Sequence, residues 1–263
     1  MTTTFFPLLE ELAREAGRAI LEVRDSGFDV DHKGDASPVI EADRAAEAII
    51  LAGLRLAYPD IPIVAEEEMS EGNGPKIEAD SRFFLVDALD GTREFVRGGE
   101  DFTVNIALVE HGVPTVGMVY IPATGVAYGG DAEGAWMRAA GGAQEAVNGG
   151  TPGDPTRIVA SRSHRTPETD NWIAQAGPHS LLSVGSSLKF CALAEGKADA
   201  YPRFGRTMEW DTAAGDAVLR AAGGITVTTD GALLRYGKPA GADEAFANPH
   251  FISYARSGDL AEG

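Results

Sequence analysis

The sequence predicts a layered α/β or α+β fold built in two halves. Two stretches with helical spacing of apolar residues precede the first strong strand. Several strands separated by Gly- and Pro-containing turns follow, which is typical of an antiparallel meander. Strands and helices then alternate, which favours a sheet covered by helices. We therefore expect an antiparallel sheet in residues 1–147 and a mixed sheet in residues 148–263.

The N-terminal helices are predicted from apolar residues that recur every three to four positions. Such residues, among them Leu12 and Ile20, share one helix face over residues 7–24. The same pattern returns over residues 41–57, after the turn-forming stretch GDASP at residues 34–38. Two helices should therefore precede the first sheet.

The strands are predicted from apolar runs between turn residues. Four apolar residues at 83–86 suit a strand that is buried on both faces, and residues 102–137 have the turn spacing of the meander. Residues 141–155 are rich in Gly and Pro and are the best candidate boundary between the halves. Beyond it we expect strands in RIVAS, LLSVG, ADAYPRF and GITVTTDGALLRY, with a hairpin turn at Asp230-Gly231, and helices near 187–195 and 211–222.

The composition excludes several classes of function. The formal net charge of −18 over 263 residues would repel polymeric nucleic acid, although a small anionic substrate stays compatible if bound cations reverse the local field. The single cysteine, Cys191, excludes an internal disulfide framework and is expected in the core rather than as a nucleophile. No segment approaches the ~20 apolar residues of a membrane span, so we expect a cytoplasmic protein.

Two aspartates at the end of the buried strand indicate a metal site. Asp87 and Asp90 lie where the strand at 83–86 gives way to a turn. Turn chemistry alone would explain Asp90-Gly91 but not Asp87. Two unpaired carboxylates about 4 Å apart repel by roughly 4 kcal/mol at an effective dielectric constant near 20, so a fold that buries both needs a cation.

Other carboxylates could complete this site. Glu66, Glu67 and Glu68 follow an apolar strand, and Asp211 begins an Ala-rich helix. Taken alone, the glutamates are typical of a solvated run and Asp211 of a helix N-cap. Together with Asp87 and Asp90 they form an oxygen-ligand set of the kind that Mg²⁺ prefers.

Four segments carry a resemblance to a known family. DASPVIEAD, VAEEE, LVDALDGTREF and EWDTAAGDAV resemble the signature segments of the lithium-sensitive, magnesium-dependent phosphatases of the inositol monophosphatase superfamily. Within it, DFTVNIALVEHGVPTVGMVYIP, ASRSH, VGSSLKFCALAEGKADAYPRFG and NPHF are most similar to the bacterial 3'(2'),5'-bisphosphate nucleotidases of sulfate assimilation. The resemblance implies a layered αβαβα sandwich of the sugar-phosphatase type.

The resemblance also implies a ligand set for two Mg²⁺ ions and leaves a third ion during turnover open. Glu66, Asp87 and the Leu89 carbonyl would hold one ion, and Asp87, Asp90 and Asp211 the second. Two ions about 3.5 to 4 Å apart can activate a water on one side and stabilise the departing oxygen on the other.

The remaining catalytic residues are implied in the same way. Asp43 and Thr92 would relay the proton of the attacking water, although an N-cap at Asp43 and turn satisfaction at Thr92 are the alternatives. Gly91 and Thr92 would offer backbone N–H groups to the phosphate. Glu67 would orient a water from behind the ligands.

The substrate residues are expected in the second half of the chain. Lys189 would hold a second phosphate, and Ser161, His164 and Asp211 would contact the nucleotide. Gly185 would let the backbone approach the ligand closely. The alternatives are a helix-surface lysine and a loop histidine.

The resemblance implies hydrolysis of adenosine 3',5'-bisphosphate, or of its sulfated analogue, to AMP or adenosine 5'-phosphosulfate and phosphate. An inositol or sugar phosphate phosphatase is the alternative within enzymes, and a non-catalytic cation-binding regulatory protein is the alternative outside them. Lithium inhibition is expected. Peripheral attachment at the inner membrane and the choice between monomer and homodimer stay open.

Overall fold

The computed structural model describes residues 5–26, 38–78, 80–238 and 245–261. Within these residues the helices are α1 (Phe6–Asp25), α2 (Pro38–Ala57), α3 (Glu66–Ser70), α4 (Thr92–Val96), α5 (Pro167–Gln175), α6 (Leu188–Ala194) and α7 (Ala213–Ala221), with a 3-10 helix at Ser257–Ala261. The strands are β1 (Ile63–Ala65), β2 (Arg82–Asp90), β3 (Thr103–Glu110), β4 (Val113–Ile121), β5 (Val126–Asp131), β6 (Gly134–Arg138), β7 (Gln144–Val147), β8 (Thr156–Ser161), β9 (His179–Val184), β10 (Ala200–Arg203), β11 (Ile225–Thr228) and β12 (Phe251–Tyr254).

The strands form two sheets that follow the two halves of the sequence. The first sheet has the order β1-β2-β3-β4-β5-β6-β7, and its pairs are antiparallel except for β1 with β2. The second has the order β11-β12-β10-β8-β9, with parallel pairs on both sides of β8. The prediction of one antiparallel and one mixed sheet is confirmed, with a parallel pair added at the edge of the first sheet.

Helices and sheets alternate as five layers. Helices α1 and α2 bury one face of the first sheet, and α6 and α7 lie between the two sheets. Helix α5 covers the outer face of the second sheet, where Ile173 packs with Ile158 and Ala160. This is the αβαβα arrangement that the resemblance implied.

Helix α7 lies unusually close to the first sheet because two glycines leave room for its backbone. A Cβ atom on Gly117 would come within 2.3 Å of the Ala214 carbonyl oxygen, and one on Gly130 within 2.6 Å of the Val218 Cα. The start of α7 is thereby held beside strands of the other half. The division of the chain after residue 147 stays a prediction, since the core that contains α7 joins both halves.

The predicted helices at 7–24, 41–57, 187–195 and 211–222 are present within a few residues. The turn expected in GDASP lies outside the described residues, except for its proline. Cys191 is buried in the core, as expected, and burial raises the pKa of its thiol well above the usual range. No helix in the described part of the chain is long and apolar enough to cross a membrane.

The strands differ from the prediction in two places. Within the candidate boundary at residues 141–155, Gln144–Val147 forms a strand that was not predicted, which pairs with β6 at the edge of the first sheet. In GITVTTDGALLRY the turn is present, with the Gly231 N–H donating to the Thr228 carbonyl at 2.9 Å, but the second strand reduces to the bridge between Val227 and Leu233. The partner of β11 is instead β12, a strand that was not predicted from the sequence.

Candidate active site

A cavity of about 280 Å³ lies where the two sheets and the starts of α4, α6 and α7 converge. Its lining contains most of the residues singled out from the sequence: Glu66, Asp87, Leu89, Asp90, Gly91, Thr92, Ser161, His164, Gly185, Lys189 and Asp211. Asp43 and Glu67 are not part of this lining. Residues that are more than 100 positions apart are therefore brought to one site.

The parallel pair at the edge of the first sheet sets Glu66 beside Asp87. Ala65 of β1 is paired with Val86 of β2, so the next residue on each strand lies at the same edge. Glu66 then begins α3, which corrects the alternative of a solvated acidic run. Its side chain is therefore directed by a strand end and not by a flexible loop.

A bulge in β2 separates the two aspartates of the turn. Asp87 is paired with Asn105 and Asp90 with Thr103, so three steps on β2 face two on β3. An extra residue of this kind bends a strand and re-aims its side chains, and bulges are common beside active sites. Asp87 is fully buried, and its Oδ1 accepts a hydrogen bond from the Leu89 N–H at 3.1 Å.

Asp211 completes a compact carboxylate group from the second half. Carboxylate oxygens of Glu66, Asp87 and Asp211 all lie within 4.8 Å of one another. Asp211 is not the N-cap, since α7 begins at Ala213 and Thr212 precedes it; instead its Oδ2 accepts from the Met208 N–H at 2.8 Å. Three oxygens at this spacing match the ligands of Mg²⁺, which binds carboxylates.

The electrostatics of this group also favour a cation. Burial and the carboxylates around it raise the pKa of Glu66 to about 8, and the pKa of Asp211 rises to about 7 through burial and Asp90. The pKa of Asp87 is held well above its usual range by burial and by Glu66. Carboxylates that repel one another in this way are charged together only when a positive ion neutralises them.

Asp90 lines the same cavity but is not part of the closest group. Its Oδ2 accepts hydrogen bonds from the Ser187 N–H at 2.7 Å and from Asn105 Nδ2 at 3.3 Å. Burial raises the pKa of Asp90, while Lys189 and these hydrogen bonds oppose the shift. Glu66, Asp87 and Asp211 form the acidic side of the cavity, and Lys189 and Arg203 form its basic side. Asp90 interacts electrostatically with both sides.

Asp43 and Glu67 lie near Glu66 but outside the cavity lining. Asp43 is inside α2 and not at its start, so the N-cap alternative is wrong. Its Oδ1 is buried without a hydrogen-bond partner, and burial together with Glu66 raises its pKa to about 8. The Glu67 carboxylate pairs with Arg44 at 3.4 Å.

Thr92 is the first residue of α4, and Gly91 before it has a φ of 92°, which favours glycine.

Lys189 is buried on the basic side of the cavity, so the alternative of a helix-surface lysine is wrong. Its Nζ donates to the Ser186 carbonyl and lies 5.5 Å from the centre of the Tyr201 ring. Burial lowers the pKa of Lys189 to about 8, although Asp90 opposes the shift. Burying an ammonium group is costly unless it is paired with an anion or hydrogen-bonded.

The other substrate candidates are in the loops around Lys189. Ser161 Oγ accepts from the His164 N–H at 3.1 Å, which fixes the loop after β8. Burial lowers the pKa of His164, with Arg203 as the next cause. A Cβ on Gly185 would approach Asp101 atoms to 2.9 Å, so this glycine is required by protein packing.

Several basic residues of the cavity were not predicted from the sequence. Arg203 is buried, its Nε has no hydrogen-bond partner, and its other nitrogens donate to the His164 and Arg206 carbonyls. Arg93 and Arg206 lie exposed in the same lining. Two arginines three positions apart in YPRFGR could have indicated a basic site. The strand pairing of β10, however, decides which way their side chains point.

Comparison with known proteins identifies the family. The model of the inositol monophosphatase family matches residues 2–257. The chain is 44% identical over 244 residues to the 3'(2'),5'-bisphosphate nucleotidase CysQ of Escherichia coli O157:H7, which covers 92% of this chain and 96% of the relative. The Salmonella typhimurium protein of the same name is 43% identical over 246 residues, with 92% and 96% covered.

Solved structures agree with these sequence matches. CysQ from Bacteroides thetaiotaomicron superposes with a TM-score of 0.81 at 37% identity and covers 96% of this chain and 98% of that one. Mycobacterium tuberculosis SuhB, at 24% identity and a TM-score of 0.72 over 96% of this chain and 90% of that one, shares the fold. The expectation of a phosphatase is confirmed, and the chain belongs to the inositol monophosphatase family.

Proposed function

We propose that this chain is a Mg²⁺-dependent phosphomonoesterase that converts adenosine 3',5'-bisphosphate to AMP and phosphate and also accepts the sulfated analogue. The main support for this proposal is that one cavity contains both carboxylates and buried cations. The carboxylates are Glu66, Asp87 and Asp211, and the cations are Lys189 and Arg203. Such a cavity suits a substrate with one phosphate to cleave and another to hold. The names of the relatives support this substrate.

The proposed cofactor is a pair of Mg²⁺ ions. Glu66, Asp87 and the Leu89 carbonyl would hold one, and Asp87, Asp90 and Asp211 the other. The compact carboxylate group supports the roles of Glu66, Asp87 and Asp211, and Leu89 and Asp90 line the same cavity. When bound, the ions would supply Lewis-acid stabilisation of the phosphoryl oxygens and lower the pKa of water. A third ion during turnover stays an open alternative.

The chain's own residues would then position the water and the phosphate. The Thr92 hydroxyl would hold the attacking water, and Asp43 would accept the proton that Thr92 passes on. The buried, unpartnered Oδ1 of Asp43 supports its role as an acceptor. The backbone N–H groups of Gly91 and Thr92 would bind the phosphate oxygens.

The basic side of the cavity would hold the second phosphate. Lys189 would exchange its hydrogen bond to the Ser186 carbonyl for one to the anion, and the unpartnered Nε of Arg203 could donate to it as well. Hydrogen bonds to charged groups contribute about 1.5–3 kcal/mol each. Ser161, His164 and Asp211 would contact the nucleotide, and Gly185 would let the backbone approach it closely.

The experiment is phosphate release from adenosine 3',5'-bisphosphate, inositol 1-phosphate and fructose 1,6-bisphosphate in parallel, with and without Mg²⁺. We expect a kcat/KM for the nucleotide at least about tenfold higher, which is roughly 1.4 kcal/mol of transition-state preference. A preference for either sugar phosphate would keep the metal site and overturn the substrate. No release from any of the three would overturn the proposed catalysis.

Cytoplasmic localisation stays a prediction, and the choice between monomer and homodimer stays open.

A further inference from the structure

The loop segment of residues 185–189, which runs from the end of β9 into the first turn of α6, touches both sides of the cavity. Lys189 at its end belongs to the basic side. Ser187, in its middle, is buried and reaches the acidic side: its N–H donates to Asp90 Oδ2 at 2.7 Å, and its Oγ donates to the Asp211 carbonyl at 2.8 Å. The loop therefore connects the proposed anion site to two proposed metal ligands.

Strand β3 holds this loop from the opposite half of the chain. Asn105 Nδ2 donates to Ser187 Oγ at 3.0 Å and to Asp90 Oδ2 at 3.3 Å. Two positions earlier on the same strand face, Thr103 Oγ1 and Ser186 Oγ form a hydrogen bond of 2.9 Å. Asn105 thus joins the loop and the metal ligand through one amide group.

One atom of the buried Asn105 amide lacks a hydrogen-bond partner. The side chain is fully buried, and its Oδ1 has no hydrogen-bond partner. Rotating the amide would not help, because an oxygen would then face the Asp90 carboxylate. An unsatisfied buried polar atom destabilises a fold by about 1–3 kcal/mol, and proteins keep few of them. Asn105 is therefore better explained by its contacts to Asp90 and Ser187 than by stability.

The loop contains a hydrogen bond from Lys189 for which a bound anion would compete. Ser186 has a φ of 48°, in the left-handed region, and its carbonyl accepts the hydrogen bond from Lys189. An anion that draws Lys189 away from this carbonyl changes what holds Ser186. Ser187, the next residue, contacts Asp90 directly and is also joined to it through Asn105.

We propose that Asn105 is a positioning residue that couples anion occupancy at Lys189 to cation affinity at Asp90. This rests on the proposed function for the identity of the anion. Because coupling between two sites is reciprocal, the bound cation raises the affinity for the anion by the same factor as the bound anion raises the affinity for the cation.

The test measures binding and not turnover. Mn²⁺ affinity is determined by calorimetry with and without saturating AMP, which carries the 5'-phosphate but no scissile 3'-phosphate. For the wild type we expect AMP to tighten Mn²⁺ by about tenfold, within the usual range of coupling. In Asn105→Leu, which keeps the side-chain shape without its hydrogen bonds, the factor should fall below about twofold.

Two further variants separate positioning from stability. Ser187→Ala removes the hydroxyl that Asn105 contacts but keeps the N–H on Asp90; it should lose the coupling too, and the double variant should be no worse than either single one. It also answers the question if Asn105→Leu does not fold. Thr226→Val removes a buried hydroxyl from the remote Asp216 network and should keep the wild-type factor.

Several outcomes would overturn the inference. These are a wild-type factor within twofold of unity, a tenfold factor retained in Asn105→Leu or Ser187→Ala, and an equal loss in Thr226→Val. Hydrolysis of adenosine 3',5'-bisphosphate by the wild type is measured alongside. If it proceeds while the coupling is absent, the proposed function stands and only the role of Asn105 fails.

Discussion

Two buried acidic regions of this protein are treated in opposite ways. Asp199 forms ion pairs with Arg157 at 2.8 Å and Arg256 at 2.9 Å, and these hydrogen bonds lower its pKa although burial alone would raise it. Glu66 and Asp87 have carboxylates as their electrostatic neighbours, and their pKa values are raised. The chain neutralises Asp199 with its own arginines, whereas we expect a bound cation to neutralise the cavity carboxylates.

The largest effect that tests this contrast is expected from Asp87→Asn. Losing one charge from the carboxylate group should reduce kcat/KM by at least about 10³-fold, because metal ions contribute several kcal/mol to the transition state. The same change should raise the free energy of unfolding in EDTA, since it removes a carboxyl group that folding must either protonate or bury as a charge beside Glu66. Urea titrations and phosphate release measure the two effects, and a variant that is both active and less stable would contradict the contrast.

The opposite result is expected at the paired aspartate. Asp199→Asn should lower the free energy of unfolding by about 3 kcal/mol, because two arginines lose their buried partner. The kcat/KM of the folded variant should stay within twofold of the wild type. A stability unchanged by the substitution would show that the arginines contribute nothing here.

The pH dependence of stability should separate the two regions as well. In EDTA, carboxyls with folded pKa values of about 7 to 8 contribute stability below their unfolded values near 4, and this is lost as pH rises towards 8. We expect a loss of at least about 2 kcal/mol between pH 5 and pH 8.5, with Mg²⁺ reducing it. Asp199 has a lowered pKa, so its contribution is present throughout this window. Thermal denaturation at each pH measures the loss, and a stability that rises with pH in EDTA would contradict the prediction.

Lys189→Met should give the smallest effect and a selective one. Losing the buried ammonium should reduce kcat/KM for adenosine 3',5'-bisphosphate by about 30-fold, or about 2 kcal/mol, with little change for inositol 1-phosphate. Lys197→Met is the matched control, because Lys197 is exposed and pairs with Glu195 at 2.6 Å. Equal losses on both substrates would remove Lys189 from substrate selection.

The sequence was sufficient where the signal is local. The spacing of apolar residues predicts α1 and α2, and the apolar run before Asp87 predicts the buried strand, because each pattern belongs to one element. The site depends instead on contacts between distant elements. The register that pairs Ala65 with Val86 and the bulge before Asp90 come from strand pairing, which no single segment specifies.

The basic side of the cavity shows the same limit. Lys189 was identified only by family resemblance, and Arg203 was missed, because an arginine in a short strand is usually exposed. Its burial follows from β10 lying between β8 and β12 in the second sheet. Asp43 and Thr92, which the resemblance also supplied, stay proposals for the proton relay.

Titration calorimetry of Mn²⁺ in buffers of different ionisation enthalpy tests the central claim most directly. If the cavity carboxylates bind the cation, the wild type should release protons on binding near pH 6.5, and the release should disappear by about pH 9.5, above their raised pKa values. Asp87→Asn should bind at least about tenfold more weakly. Wild-type binding without proton release at pH 6.5, or unchanged binding by Asp87→Asn, would contradict the account.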